Sequence, residues 1–277
     1  MKTLTDHQLY FDADCPLCVA YTGAFEQTGL IAPGTRQPFQ AQQAKTFEKV
    51  DKQRAQREIA LLHEPTGQVY YGLEAMLRML FGNGPLYRIF KFAPLNVFFT
   101  ALYSFISYNR KVIAPAPPAG QGISCEPPLH RGWRAAYLVF GVVVSAVVLT
   151  PFYSHFDAWL NLPVFAYREW YTCIGQLIWQ GGLLLLAAPA GRRWDYLGNL
   201  MTVSIAGSFM LLPIMAIGAW VSLAPWVYLA WFTVVVSVML LMHYKRVKLL
   251  GLPGWLSGSW VAYRLVWAVG LVGWQWL

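Results

Sequence analysis

The first 132 residues contain no tryptophan, although the whole chain has 13. Acidic residues are scarce as well: 13 Asp and Glu against 21 Lys and Arg leave a net charge of +8. The positive residues form no stripe interleaved with aromatics, which argues against a nucleic-acid binder. There are only four cysteines, and the second Cys-x-x-Cys or His-x-x-x-His half of a zinc site is missing. Met1-Lys2-Thr3-Leu4-Thr5-Asp6-His7-Gln8 lacks the apolar core of a secretory signal, and the run that follows is broken by Asp12 and Asp14. The first half is therefore expected on the cytosolic side, where thiols stay reduced and a close cysteine pair is catalytic or metal-binding rather than a structural staple.

What is present divides the chain in two. Residues 1–132 carry 13 basic and 10 acidic side chains, whereas residues 133–277 carry 8 and 3 in a mostly apolar background. The expected organisation is a soluble domain over 1–113, a Pro/Gly-rich linker over 114–132 and a transmembrane helical domain over 133–277.

Five apolar runs mark the second half: Trp133–Tyr153, Trp170–Ala188, Leu197–Trp220, Trp226–His243 and Ser257–Leu277. Each approaches the roughly 20 residues needed to cross a bilayer core. Trp and Tyr gather at their ends, as in an interfacial belt. Arg131 and Arg134, then Arg192 and Arg193, then Lys245, Arg246 and Lys248 occupy alternate loops. That alternation predicts a multi-pass protein of the cell membrane with a cytoplasmic N-terminal domain and the C-terminus outside. Arg264 is expected to snorkel from near the cytosolic end of the last span, with a role in a polar cavity or a lipid-headgroup contact as the alternative, and Cys173 to serve as a small packing residue.

In the first half, His7–Asp12 reads as a strand and Leu17–Gln27 as a helix opened by Pro16. Arg36–Phe39 reads as a strand, Gln42–Arg57 as an exposed helix, Ile59–Leu62 with Gln68–Tyr71 as a hairpin, and Gly72–Leu80 as another helix. Strand–helix–strand–helix–hairpin–helix is the order of an α/β thioredoxin-like fold. Leu86–Ile113 is apolar, but Pro94 interrupts it and both ends are basic, so two amphipathic helices are expected there rather than a sixth span.

The chemistry concentrates at Asp12-Ala13-Asp14-Cys15-Pro16-Leu17-Cys18, where a strand meets a helix. A thiol attacks a disulfide as thiolate, and unpaired N–H groups at a helix start favour that anion. Cys15 falls at the cap position and is expected to be the exposed nucleophile, with Cys18 one turn further on to resolve a mixed disulfide. Asp14 should oppose thiolate formation. Asp12 either accepts a proton from Cys18 or caps the helix. Metal binding and a purely structural role remain alternatives; Cys125 and His130 could join the pair, at a spacing that fits no standard zinc pattern.

Residues 1–113 resemble the DCC family of thiol–disulfide oxidoreductases, named for its Asp-x-x-Cys-x-x-Cys motif. The matching positions are Tyr10 to Cys18, Gly72-Leu73-Glu74-Ala75, and Tyr103 with Tyr108-Asn109-Arg110. The resemblance implies a thioredoxin-like domain with Cys15 and Cys18 as its redox pair, and some members carry membrane spans. One departure is plain: Arg54-Ala55-Gln56-Arg57-Glu58, ahead of the third strand, lacks the proline that usually docks substrate there.

The sequence therefore supports a membrane-anchored dithiol oxidoreductase that needs no cofactor, with Cys15, Cys18, Asp12 and Asp14 at its site. The partners expected are a protein or small-molecule thiol or disulfide, together with membrane lipids. The alternative is a non-enzymatic membrane protein whose helices bind a lipid or quinone and whose first half is a docking module.

Overall fold

A computed structural model of the chain describes residues 3–42, 48–117 and 127–273. Residues 118–126 of the expected linker, with Cys125, lie outside the described residues, as do 43–47 and the end of the last apolar run. The chain forms two compact units, 1–133 and 134–277.

The first unit is built on a four-stranded mixed sheet. Its elements are β1 (His7–Phe11), α1 (Pro16–Gln27), β2 (Arg36–Pro38), α2 (Lys52–Ala55), β3 (Ala60–His63), β4 (Gln68–Tyr71) and α3 (Gly72–Phe81). The strand order is β2-β1-β3-β4. β2 runs parallel to β1, placing Phe11 beside Pro38, and β3 is antiparallel to both β1 and β4. Pro38 is tolerated because β2 is an edge strand. This is the thioredoxin-like arrangement.

Strand alternation sends side chains to two buried faces. Leu9, Phe11, Leu61 and Tyr70 join Phe25 of α1 and Ala75 and Met79 of α3 in one core. Tyr10, Ala60 and Leu62 meet Phe39, Val50 and Ala55 in the other. That second core explains a difference from expectation. Among the described residues of Gln42–Arg57 the α-helix is confined to α2, because Val50 is drawn into the core and Asp51, in extended backbone, caps the Arg54 N–H at 3.1 Å.

Two helices close the unit, α4 (Pro85–Lys91) and α5 (Ala93–Ile113), with Pro94 in the first turn of α5. Together they are long and apolar enough to count as one span, yet they are bent by 81° at their junction. Ser107, Asn109, Arg110 and Val112 of α5 are buried.

The second unit is helical: α6 (Arg131–Tyr153), the short α7 (Asp157–Leu160), α8 (Arg168–Ala187), α9 (Ala190–Gly218), α10 (Pro225–Leu249) and α11 (Trp255–Gly273). Each expected span coincides with a helix. Among the described residues α6, α9 and α10 are long and apolar enough to cross a membrane, and the α4–α5 pair would make a fourth. Two of the five expected spans, α8 and the described part of α11, fall outside that set; in α8 the buried face is polar, with Arg168, Glu169, Thr172, Gln176 and Gln180 all turned inward.

Close helix packing uses small residues, as membrane bundles do. A Cβ on Gly141 of α6 would lie 2.9 Å from Met201 of α9, and one on Gly207 of α9 would collide with Met239 of α10. The basic loops converge at one end of the bundle, where Arg134 pairs with Asp195 at 3.3 Å and Arg246 donates to Asn199 at 2.7 Å. Arg264 does not snorkel. Its guanidinium stacks 4.2 Å from the centre of the Trp260 ring, and it lines a cavity bounded by α6, α8, α9 and α10.

Candidate functional site: a buried dithiol held by a distant arginine

Cys15 and Cys18 are free thiols at the start of α1. β1 ends at Phe11, and the next three residues turn the chain by an Asx-type contact in which Asp12 Oδ1 accepts the Asp14 N–H at 3.1 Å. Cys15 is the N-cap in extended backbone, Pro16 begins the helix, and the Cys15 carbonyl accepts the Val19 N–H at 3.0 Å. Cys18 lies on the buried side of the first turn, where the Tyr21 hydroxyl approaches its sulfur at 3.8 Å.

The expected exposure of Cys15 is corrected: it is 0% exposed, and Cys18 is 2% exposed. The dithiol loop turns inward because Asp12 is anchored in the interior. Asp12 Oδ2 pairs with Arg110 Nη2 at 3.0 Å, with both side chains buried. Arg110 reaches from α5, and its guanidinium also donates to the backbone carbonyls of Gln56 at 3.1 Å and Arg57 at 3.2 Å. Ser107, one turn earlier, donates to the Arg57 carbonyl at 2.5 Å. The segment before β3, which lacks the docking proline, is thus held from the side by α5. No cis peptide bond occurs among the described residues.

Both aspartates have structural partners. Gln40 bridges them, donating to Asp12 Oδ1 at 2.7 Å and to Asp14 Oδ2 at 3.1 Å, while its own carbonyl accepts the Ala13 N–H at 3.1 Å. Neither carboxylate caps α1, whose N-cap has no side-chain hydrogen bond. Asp12 has both oxygens engaged, by Gln40 and the Asp14 N–H on one and Arg110 on the other.

The electrostatics divide the two sulfurs. The Cys18 thiol donates to the Cys15 sulfur, and with the Cys18 N–H and the Arg110 charge it holds Cys15 down to about 6 against burial and the Asp12 charge. The carboxylate opposing thiolate formation is therefore Asp12 rather than the expected Asp14. The same hydrogen bond, reinforced by burial, pushes Cys18 far above the usual thiol range. One sulfur is poised as thiolate while the other keeps its proton. That asymmetry is what thiol–disulfide exchange needs of an attacking and a resolving thiol.

Among the described residues no group of three His, Cys, Asp or Glu side chains is placed to hold a metal ion. Arg110, Gln40 and Tyr21 were absent from the residues expected at the site. For Arg110 a signal existed: it lies in the Tyr108-Asn109-Arg110 run that carries the family resemblance.

A thioredoxin-like sheet with a Cys-x-x-Cys pair at the start of its first helix defines a class of dithiol domain. Residues 9–114 match the family model of DCC1-like thiol-disulfide oxidoreductases, so the N-terminal unit is such a domain, ending at the close of α5. No curated protein and no solved structure matches the chain.

Proposed function

We propose that the chain is a membrane-anchored thiol–disulfide oxidoreductase whose dithiol faces the cytosol. The observation that carries this reading is the free Cys15–Cys18 pair at the start of α1 with the buried Asp12–Arg110 ion pair beside it, an arrangement in which Cys18 and Arg110 lower Cys15 to about 6. The Cys15 thiolate attacks one sulfur of a substrate disulfide, forming a mixed disulfide and releasing the other sulfur as thiolate. That leaving thiolate takes up the Cys18 proton. Cys18 then attacks Cys15, releasing the second substrate sulfur and leaving a Cys15–Cys18 disulfide. The substrate gains two electrons and the domain loses two, which a dithiol of the cytosolic pool restores. Asp12 acts by holding Arg110, and Asp14 by holding the loop through Gln40.

Apolar helices supply the anchor, and the alternation of basic loops supports a cytosolic dithiol. The test is disulfide trapping in the full chain. Cys18→Ser should accumulate mixed disulfides with a protein or small-molecule thiol, whereas Cys15→Ser should trap nothing. Equal, unreactive behaviour of the two variants would overturn the proposal.

A further inference from the structure

The helical unit contains a second polar locus, well separated in sequence from the dithiol. A cavity of about 40 Å³ is lined by α6, α8, α9, α10 and α11, with Ser145, Thr172, Gln176, Ser208, Tyr263 and Arg264 among its walls. Most hydroxyls there are satisfied on their own helices: Thr172 donates to the Arg168 carbonyl and Ser208 to that of Ser204, both at 2.9 Å. Three groups are not. Gln176 is 3% exposed, yet neither its amide nitrogen nor its oxygen finds a partner among the described residues; Ser145 Oγ and Arg264 Nε are in the same position. One turn along the same face of α8, Gln180 bonds both Tyr196 and Ser259. The bundle can therefore satisfy a buried glutamine, and at Gln176 it does not.

Charge points the same way. The helical unit has three acidic residues. Asp157 and Glu169 both pair with Arg168, and Asp195 pairs with Arg134. Arg264 has no carboxylate within ion-pair distance among the described residues. A cation inside apolar helices is costly unless a counter-charge meets it. Since a buried water needs at least 10–15 Å³ of such space, about 40 Å³ admits the two oxygens of a carboxylate with a bridging water, and nothing as large as a phospholipid headgroup. Beside it lies an apolar chamber of about 310 Å³ that shares Tyr263, Arg264, Thr172 and Phe232 with the polar cavity and is otherwise walled by residues such as Leu229 and Leu265.

We propose that the helical unit binds a long-chain carboxylate, its head on Arg264, Ser145 and Gln176 and its hydrocarbon chain in the apolar chamber. Arg264 supplies the charge. Ser145 and the Gln176 amide donate to the carboxylate oxygens, and the bridging water satisfies Gln176 Oε1.

The test uses the full chain in phosphatidylcholine nanodiscs with radiolabelled palmitate as probe. Saturable binding near one per chain is expected, displaced by oleate but at least tenfold less well by methyl palmitate or a neutral long-chain quinone. Arg264→Gln should weaken binding at least tenfold, and Arg264→Lys should restore most of it. Gln176→Glu guards against misfolding as an explanation: it gives Arg264 an internal counter-charge, so it should raise the melting temperature while abolishing palmitate binding. Absence of saturable binding, equal displacement by the neutral ligands, or unchanged affinity in Gln176→Glu would each overturn the proposal.

Discussion

Arg110 and Asp12 stand 98 residues apart in the chain and meet in a buried ion pair of 3.0 Å. Through that pair the last helix of the domain reaches the loop carrying the dithiol. The same guanidinium takes the carbonyls of Gln56 and Arg57 and adds positive potential at both sulfurs. A single side chain thus links the motif, the segment before β3 and α5. It acts as a positioning and charge-stabilising residue rather than as a nucleophile.

Removing Arg110 should be costly, because Asp12 would be left charged, buried and unpaired. Arg110→Gln is expected to destabilise the N-terminal unit by about 3–5 kcal/mol, measured by pulse proteolysis of the full chain in detergent. Arg110→Lys should fall between, since an ammonium cannot reproduce the fork that meets a carboxylate and two carbonyls. Pairing Arg110→Gln with Asp12→Asn should cost less than the sum of the single changes. Strict additivity would show that the two residues are not energetically coupled.

The lowered Cys15 makes a pH prediction of definite sign. Alkylation of Cys15 by iodoacetamide should rise with pH through a midpoint of about 6, well below the 9.0 of an unperturbed thiol. In Arg110→Gln the midpoint should move upward, because one of the influences lowering it is gone. The linked stability follows the usual rule for an acid whose folded pKa is depressed: the contribution is present in full above the unfolded thiol value of 9.0 and is lost as pH falls through about 6. A single alkylation midpoint near the unperturbed value would contradict this electrostatic account.

Burial adds a kinetic expectation. With Cys15 at 0% exposure, native alkylation should be slower than for a free peptide thiol of equal thiolate fraction, and mild denaturant should accelerate it. Equal rates in folded chain and peptide would show that no opening step precedes reaction.

Sequence pattern revealed the elements of this protein better than their long-range contacts. The apolar run at the end of His7–Phe11, the turn between the two hairpin strands and Pro16 at a helix start are local signals, and the structure places strands and a helix there. Arg110 was marked only as part of the Tyr108-Asn109-Arg110 run, and its role at the site was hidden because it depends on a contact across 98 positions. The exposure of Cys15 was misjudged for the same reason, since the loop is drawn inward by that contact. Gln42–Arg57 looked helical by composition, but among its described residues burial of Val50 overrides propensity ahead of α2. Arg264 was read from its sequence neighbours alone, whereas its placement is set by Trp260 and by helices far away in the chain.

Gly72 illustrates how tightly the end of the hairpin is fitted. It opens α3 with φ of +56°, and its N–H donates to the Ile59 carbonyl at 2.9 Å. A Cβ there would lie 2.6 Å from the Glu58 carboxylate and 3.1 Å from the Tyr103 ring. Gly72→Ala should therefore destabilise the N-terminal unit by about 1–3 kcal/mol, from left-handed backbone strain with crowding added. Thermal unfolding of the full chain reads this directly, and an unchanged midpoint would mean the turn relaxes freely.

The polar chain inside the helical unit offers a prediction of a different kind. The Tyr196 hydroxyl donates to Gln180 Oε1 at 2.8 Å and also lies 3.0 Å from His243 Nε2. Its only proton is committed to Gln180, so His243 must donate from Nε2. On the other side of the ring Nδ1 lies 3.0 Å from the Ser257 hydroxyl. Four helices, α8 through α11, are joined by this chain. Tyr196→Phe removes both contacts at Tyr196, and interhelical hydrogen bonds in membranes are worth about 0.6–2 kcal/mol each. A loss of that order is expected in detergent unfolding. His243→Ala should cost more, since it also leaves a void beside Trp260, whose ring stacks 5.8 Å from the imidazole. Because Tyr196 and His243 share one hydrogen bond, the double variant should lose less than the sum; full additivity would show that the chain contributes nothing as a unit.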